Sequence, residues 1–225
     1  MKGILITSLL IGIAVSPLSA AENAELKTSE QKASYLFGFD IGGNMNRQGI
    51  EVDSDAFLLG LNAALAGKTN AIPPAEIQAI MVEFRQKVMA KREKAQQALA
   101  SDGEKFLMAN KKKEGVKVTQ SGLQYKVIKS GSGKSPKIDS KVTTHYRGTL
   151  IDGTEFDSSY SRGQPSTFGV NQVIKGWTEA LLKMKEGDKW QLFIPAELAY
   201  GRRGQGQKIP PMATLIFEIE LIKVN

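Results

Sequence analysis

From Thr28 onward the apolar residues first recur at three- and four-residue intervals; past Gly115 they recur at every second residue. The first regime predicts helices. Ala33, Leu36, Phe37, Ile41 and Met45 make one amphipathic face, opened by Thr28-Ser29-Glu30-Gln31, a capping-box pattern in which the first hydroxyl and the fourth amide each satisfy a backbone N–H. Asp53 is the expected N-cap of a second helix carrying Phe57, Leu58, Leu61, Ala64 and Leu65, which should stop near Gly67. Pro73 and Pro74 suit the first turn of a third. Its stripe of Ile77, Ile80, Met81, Phe84 and Val88 gives way to an Ala- and charge-rich stretch ending about Asn110. Unbroken, that helix is about 55 to 60 Å long at 1.5 Å per residue. It cannot bury its own stripe; the two short helices can cover its first half, while the second half, through Ala95 to Ala100, is polar enough to stand in solvent as a stalk. Gly38, Gly42 and Gly43 each cost about 1 kcal/mol relative to Ala inside a helix unless another backbone approaches closely. They point to a dimerisation surface on the first helix, with a monomeric helical cap carrying flexible glycines as the alternative.

The second regime predicts strands at 123–128, 141–150, 189–195 and 214–224, the last setting Leu215, Phe217, Ile219 and Leu221 against Ile216, Glu218, Glu220 and Ile222. Turn residues separate them: Gly131, Gly133, Asp152-Gly153, Gly187-Asp188 and the stretch from Gly201 to Gly206. One short helix, around Gly176 to Met184, interrupts the run. Antiparallel strands wrapped around a single helix make a small α+β domain. The expected division is therefore 1–21 as a leader, 22–115 as a helical dimerisation region with its stalk, and 116–225 as the α+β domain.

The leader changes the picture of where the protein works. Lys2 precedes an apolar run from Ile4 to Val15 that is short for a membrane span, and Ser19, Ala20 and Ala21 suit a signal peptidase. An exported protein follows, with cleavage after Ala20 or Ala21. Cysteine is absent, which removes disulfides, thiol catalysis, thiolate metal sites and a lipidated N-terminal cysteine together. A net charge of +7 invites a nucleic-acid partner. Export argues against one, and the basic residues are scattered apart from Lys111 to Lys113, which suit the end of a helix.

Familiar catalytic patterns fail. Gly131-Ser132-Gly133-Lys134-Ser135 resembles the end of a phosphate-binding loop, but its first glycine would fall at position 128, which is Ile. A serine triad could be built only around the single histidine, His145, and no Gly-x-Ser-x-Gly elbow supplies the nucleophile. One histidine without cysteine makes no typical zinc site either, so His145 reads as structural. No pair of carboxylates stands out as general acid and base. The signal lies in apolar and aromatic residues, which suggests chemistry without proton transfer.

Four motifs carry a resemblance across about 110 residues: 142–159 (Val142-Thr143-Thr144-His145-Tyr146-Arg147-Gly148 through Phe156-Asp157-Ser158-Ser159), Gln172-Val173-Ile174-Lys175-Gly176-Trp177, Leu198-Ala199-Tyr200-Gly201, and Ile209-Pro210-Pro211-Met212 through Phe217. In order and content they resemble the FKBP-type peptidyl-prolyl cis/trans isomerases. The helical half and leader are similar, with looser motifs, to the macrophage infectivity potentiator and its periplasmic relatives in Gram-negative bacteria, homodimers joined through their N-terminal helices.

The resemblance implies an antiparallel sheet curled over a short helix with an apolar pocket between them. Trp177 would form the floor, with Tyr146, Phe156, Val173, Ile174, Ile209 and Phe217 as walls and Asp157 and Tyr200 at the rim. Tyr146, Phe156, Asp157, Trp177, Tyr200 and Phe217 are the expected catalytic residues; Arg162, Phe168, Val173, Ile174 and Ile209 are expected to bind substrate, with Arg162 paired to Asp157. No cofactor is required. The implied ligands are proline-containing segments of unfolded or exported proteins and macrolides such as tacrolimus and rapamycin. The implied compartment is the periplasm, with outer-membrane association also open. A binding-class alternative treats the pocket as a low-turnover peptide holder and the helices as a chaperone clamp; a surface virulence factor is a third reading by analogy. The chain departs from the family in its loops: Ser166 stands where an aromatic is common, the segment from Phe168 to Trp177 is short, and Arg202, Arg203, Gln205 and Lys208 replace more apolar residues. These departures bear on substrate preference.

Overall fold

The computed structural model describes residues 26–225, so the expected leader lies outside the described residues. The chain divides into two compact units between Glu51 and Val52. In the first, α1 spans Ser29–Arg47. Its capping box forms: the Gln31 N–H donates to Thr28 Oγ1 at 3.2 Å, and the Thr28 N–H donates to Gln31 Oε1 at 3.1 Å. Gly49 ends the helix in the left-handed region, letting the Ile50 N–H reach back to the Met45 carbonyl at 2.9 Å. Nothing on α1 is buried: Tyr35, Leu36, Phe37, Phe39 and Ile41 are exposed, and a Cβ at Gly38 or Gly42 would stand in open space.

The second unit opens with α2, Ser54–Leu65, capped by Asp53, whose Oδ1 accepts the Ala56 N–H at 2.9 Å. Gly67 at φ +66° closes it, as its position after the apolar stripe predicts. Helix α3 then runs 37 residues, Pro74–Asn110, without a break. Its first half leaves Ile77, Ile80, Met81 and Met89 exposed, while its last turns are buried against the sheet. There Gly103 faces Thr214 so closely that a Cβ would overlap the threonine hydroxyl. One turn on, the Phe106 ring lies 6.0 Å from that of Phe193. The buried Asn110 donates to Gln124 Oε1 at 3.0 Å, and Gln124 Nε2 donates to the Leu107 carbonyl at 2.9 Å.

Seven antiparallel strands follow: β1 (Val116–Val118), β2 (Gln124–Lys129), β3 (Lys141–Leu150), β4 (Glu155–Ser158), β5 (Ser166–Gly169), β6 (Lys189–Ile194) and β7 (Leu215–Val224). Their order is β1-β2-β6-β7-β3-β4, with β5 pairing the first half of β3 where β4 pairs the second. The period-two pattern orients β7 as expected, with Leu215, Phe217, Ile219 and Leu221 buried. Helix α4, Lys175–Leu181, packs into the curl of the sheet; it begins one residue earlier and ends sooner than the sequence pattern suggests, with Met184 buried in the turn beyond it. Strands β1, β4 and β5 are too short to show a period and are defined only by pairing. The core joins α4 to the inner faces of β3, β6 and β7.

The docking of α3 onto the sheet rests on the close approach at Gly103. Gly103→Ala should cost about 1 to 3 kcal/mol through overpacking against Thr214, read as a lower denaturant midpoint with an unchanged slope; an unaltered midpoint would mean that the helix end adjusts freely.

Candidate active site

The curl of the sheet over α4 leaves one large cavity, about 740 Å³, open to solvent. Its floor is Trp177, in the first turn of α4, which Gly176 brings against β6: a Cβ there would come within 2.6 Å of Ile194 Cγ2. Rings from three strands meet the indole edge to face. Tyr146 from β3 lies at 5.2 Å and 81°, Phe168 from β5 at 5.7 Å and 85°, and Phe217 from β7 at 5.1 Å and 85°. Phe156 from β4 makes the same kind of contact with Phe217, at 5.4 Å and 81°. Such T-shaped pairs point positive ring edges at negative faces and fix the rings' orientation. Gly148 makes room for them, since a Cβ there would fall 2.6 Å from the Phe156 ring and 2.7 Å from that of Phe217.

Val173, Ile174 and Ile209 complete the apolar lining. Ile174 is the N-cap of α4, and its N–H has no hydrogen-bond partner among the described residues. Tyr200 lines the cavity with a hydroxyl that is likewise unpartnered among the described residues. The Trp177 indole N–H is buried and also unpartnered there.

Polar groups gather at one side of the mouth. Asp157 accepts from the Tyr146 hydroxyl at Oδ2 and from Arg162 Nη1 at Oδ1, both at 2.5 Å. Arg162 also donates to the Tyr146 hydroxyl at 2.6 Å and to Ser166 Oγ at 3.3 Å, and its guanidinium lies 5.5 Å from the Tyr146 ring centre. Ser166 is thus a hydrogen-bond partner of the arginine. Burial works to raise the Asp157 carboxyl, but hydrogen bonds from Tyr146 and Arg162 with the arginine's charge outweigh it and leave the group below its ordinary value of 3.8. Burial raises both phenols above 10.0, helped at Tyr146 by its bond to Asp157 and at Tyr200 by the nearby Asp157 charge.

Ten of the eleven residues singled out by sequence line this cavity; Arg162 does not and reaches it through Asp157 and Tyr146. The sequence reading named Gln172 in a motif and tied Gln205 and Lys208 to substrate preference, but it placed neither them nor Gly206 and Gln207 in the cavity lining. The segment from Gln205 to Lys208 folds back as a tight excursion: Gln205 and Ile209 pair across it, and Gly204 and Gly206 take positive φ. The glycine run between Tyr200 and Ile209 was the available signal, because two lining residues so near in sequence require the chain between them to return to the same rim. His145 points elsewhere, stacked on Tyr160 at 4.7 Å with Nδ1 3.0 Å from Ser159 Oγ. Among the described residues no group of His, Asp or Glu side chains is arranged to hold a metal ion.

A family model for FKBP-type peptidyl-prolyl cis-trans isomerase matches residues 132–222, and one for the domain amino-terminal to it matches residues 30–127. The chain belongs to the FKBP-type peptidyl-prolyl cis-trans isomerases. Among relatives of this isomerase, the outer membrane protein MIP of Legionella longbeachae is 44% identical over 231 residues, covering 100% of this chain and 99% of its own. An FKBP-type 22 kDa peptidyl-prolyl cis-trans isomerase of Escherichia coli is 46% identical over 198 residues, covering 88% of this chain and 96% of that one. The crystal structure of FkpA from Escherichia coli superposes with a TM-score of 0.67 at 38% identity, covering 89% of this isomerase and 98% of FkpA. Fold class and activity accordingly stand as the motifs implied: helices followed by an antiparallel sheet, and prolyl isomerisation.

The lowered Asp157 carboxyl has a consequence for stability. A group depressed by folding stabilises above its unfolded value and loses that contribution as pH falls through its folded one. Asp157→Asn should therefore flatten the acid limb of a Tm-against-pH curve between about pH 5 and pH 2 relative to wild type; parallel limbs would mean that the Arg162 pair stabilises nothing.

Proposed function

We propose that the cavity seats a prolyl ring on Trp177 and accelerates rotation about the preceding X-Pro bond in polypeptides outside the cytoplasm, the enzyme acting as a homodimer joined through its N-terminal helices. The observation that carries this reading is an apolar aromatic floor whose one lining carboxylate, Asp157, is already bonded to Arg162 and Tyr146. The site offers shape and dipoles, with no carboxylate free to move a proton.

The reaction needs nothing more. Trans and cis X-Pro forms differ by about 0.5 to 1 kcal/mol, but the path between them breaks amide resonance, a barrier of about 18 to 20 kcal/mol. A catalyst must favour the twisted bond over both planar forms. Planar amides are charge-separated and gain from water; a dry aromatic basin withdraws that gain. The ring edges of Tyr146, Phe156 and Phe217 face the twisted carbonyl with weak positive charge. The free Ile174 N–H and Tyr200 hydroxyl hold the carbonyls flanking it, so that rotation is confined to one bond. Asp157 and Arg162 keep Tyr146 in place and take no part as acid or base.

Export is supported by the leader pattern of the first 21 residues and by a relative named as an outer membrane protein. The dimer is supported by the uncovered rings of α1 and the open space beside Gly38 and Gly42. Macrolides fit the same basin by virtue of its apolar lining.

Phe217→Ala and Asp157→Ala, checked for folding, should each lower kcat/KM on a short proline peptide by on the order of ten-fold or more, measured beside wild type. Variants that fold and keep full turnover would remove these residues from the site. A wild-type protein inactive on every peptide would turn the pocket into a peptide holder and shift attention to the helices. For the dimer, Gly38→Leu should move the sedimenting species toward monomer; an unchanged dimer would put the seam elsewhere.

A further inference from the structure

Two residues lining the cavity carry charge, Asp157 and Lys208. The first is neutralised, because both its oxygens accept from Arg162 or Tyr146. Among the described residues Lys208 has no such ion pair. Its ammonium donates to the Phe156 carbonyl at 3.2 Å, which draws the side chain from the 205–209 excursion across to β4. That bond uses one of three donors. The other two have no partner among the described residues. The Lys208 charge helps lower the Glu155 carboxyl, less than Arg147 and Ser161 do. Glu155 is engaged elsewhere, accepting from Arg147 Nε at 2.7 Å and from Ser161 Oγ at 3.0 Å.

Among the described residues Arg162 pairs with Asp157 and Arg147 with Glu155, which leaves Lys208 as the one cavity-lining cation without an ion pair. The Ile174 N–H donates only, while the Tyr200 hydroxyl and the amides of Gln172, Gln205 and Gln207 can donate as well as accept. A net charge of +7 adds a field of the same sign. A peptide crossing this rim meets donors and an unneutralised ammonium, and the complementary group is a carboxylate.

We propose that Lys208 is a specificity residue of this isomerase, favouring X-Pro segments in which a residue adjacent to the proline carries a carboxylate. The proposal rests on the cavity being the proline site. An exposed ion pair of this kind changes relative turnover by about two- to five-fold, enough to order clients without excluding neutral ones. Salt should erase it, since the screening length falls to about 3 Å at 1 M.

The test compares neutral-capped proline peptides differing only as Glu or Gln, placed before the proline in one pair and after it in another, with cis/trans exchange followed by NMR on the full-length protein. In at least one pair the wild-type ratio of kcat/KM, Glu over Gln, should be about three in low salt and approach one at high salt. Lys208→Met should bring the ratio to one, and Lys208→Glu should invert it. A wild-type ratio of one in both pairs, or a preference that survives in Lys208→Met, overturns the proposal. So does a uniform slowing of all peptides by both variants with the ratio kept, which would make Lys208 only a tether for its loop. Absence of turnover on any peptide overturns the proline-site reading and this proposal with it; turnover without charge preference overturns this proposal alone.

Discussion

The edge-to-face packing of Tyr146, Phe168 and Phe217 around Trp177 is the interaction on which the rest of the structure depends. Each ring comes from a different element, so the cluster forms only when β3, β5, β7 and α4 are all in place. Two glycines permit it: Gly176 lets α4 lie against Ile194, and Gly148 leaves space beneath the Phe156 and Phe217 rings. The cluster is also incomplete, since it ends in an open cavity where a core would have placed another side chain. An apolar surface held rigid yet left uncovered is what a proline ring can occupy.

Polar groups hold this arrangement from outside it. Asp157 ties β4 to Tyr146 on β3 and to the loop carrying Arg162. At the far end of the sheet the buried Asp188 accepts from the Gly131 and Lys185 N–H groups, both at 2.6 Å, and Glu186 accepts the Val224 N–H at 2.6 Å. These carboxylates replace backbone partners that irregular loops cannot supply. Their consequence for the cavity is stiffness, because the connections between strands are pinned at both ends of the sheet. Catalysis by shape needs that, as a basin that relaxed around the planar amide would favour it as much as the twisted one.

The junction of α3 with the sheet is built differently. Gly103, Phe106 and Asn110, about a turn apart, present a gap, a ring and an amide to Thr214, Phe193 and Gln124. Phe193 belongs to β6 but faces away from the inner core, so one strand serves the cavity side through Leu192 and Ile194 and the helix through Phe193. The helix end and the catalytic sheet thus share a strand, whereas the helix's exposed first half shares nothing with it.

By itself the sequence determined what depends on local order. The capping box at Thr28, the cap at Asp53, the stop at Gly67 and the alternation along β7 all follow from neighbours within a few residues, and the structure has each of them. The family motifs located the residues that meet in the cavity. Tertiary structure decided the rest. Strands β1, β4 and β5 exist because partners pair with them, and a stretch of three or four residues is too short to show a period of two. The rim formed by Gln172 and the 205–208 excursion depends on how a glycine-rich segment returns to the sheet, a matter of backbone angles that residue identity leaves open. The family motifs anticipated the pairing of Arg162 with Asp157, but the rest of the charge balance at the mouth was beyond the sequence: it counts 30 basic and 23 acidic residues, and only folding pairs Arg147 with Glu155 and draws Lys208 into the cavity lining. Coulomb interactions act through distance in space, and distance along the chain says little about that.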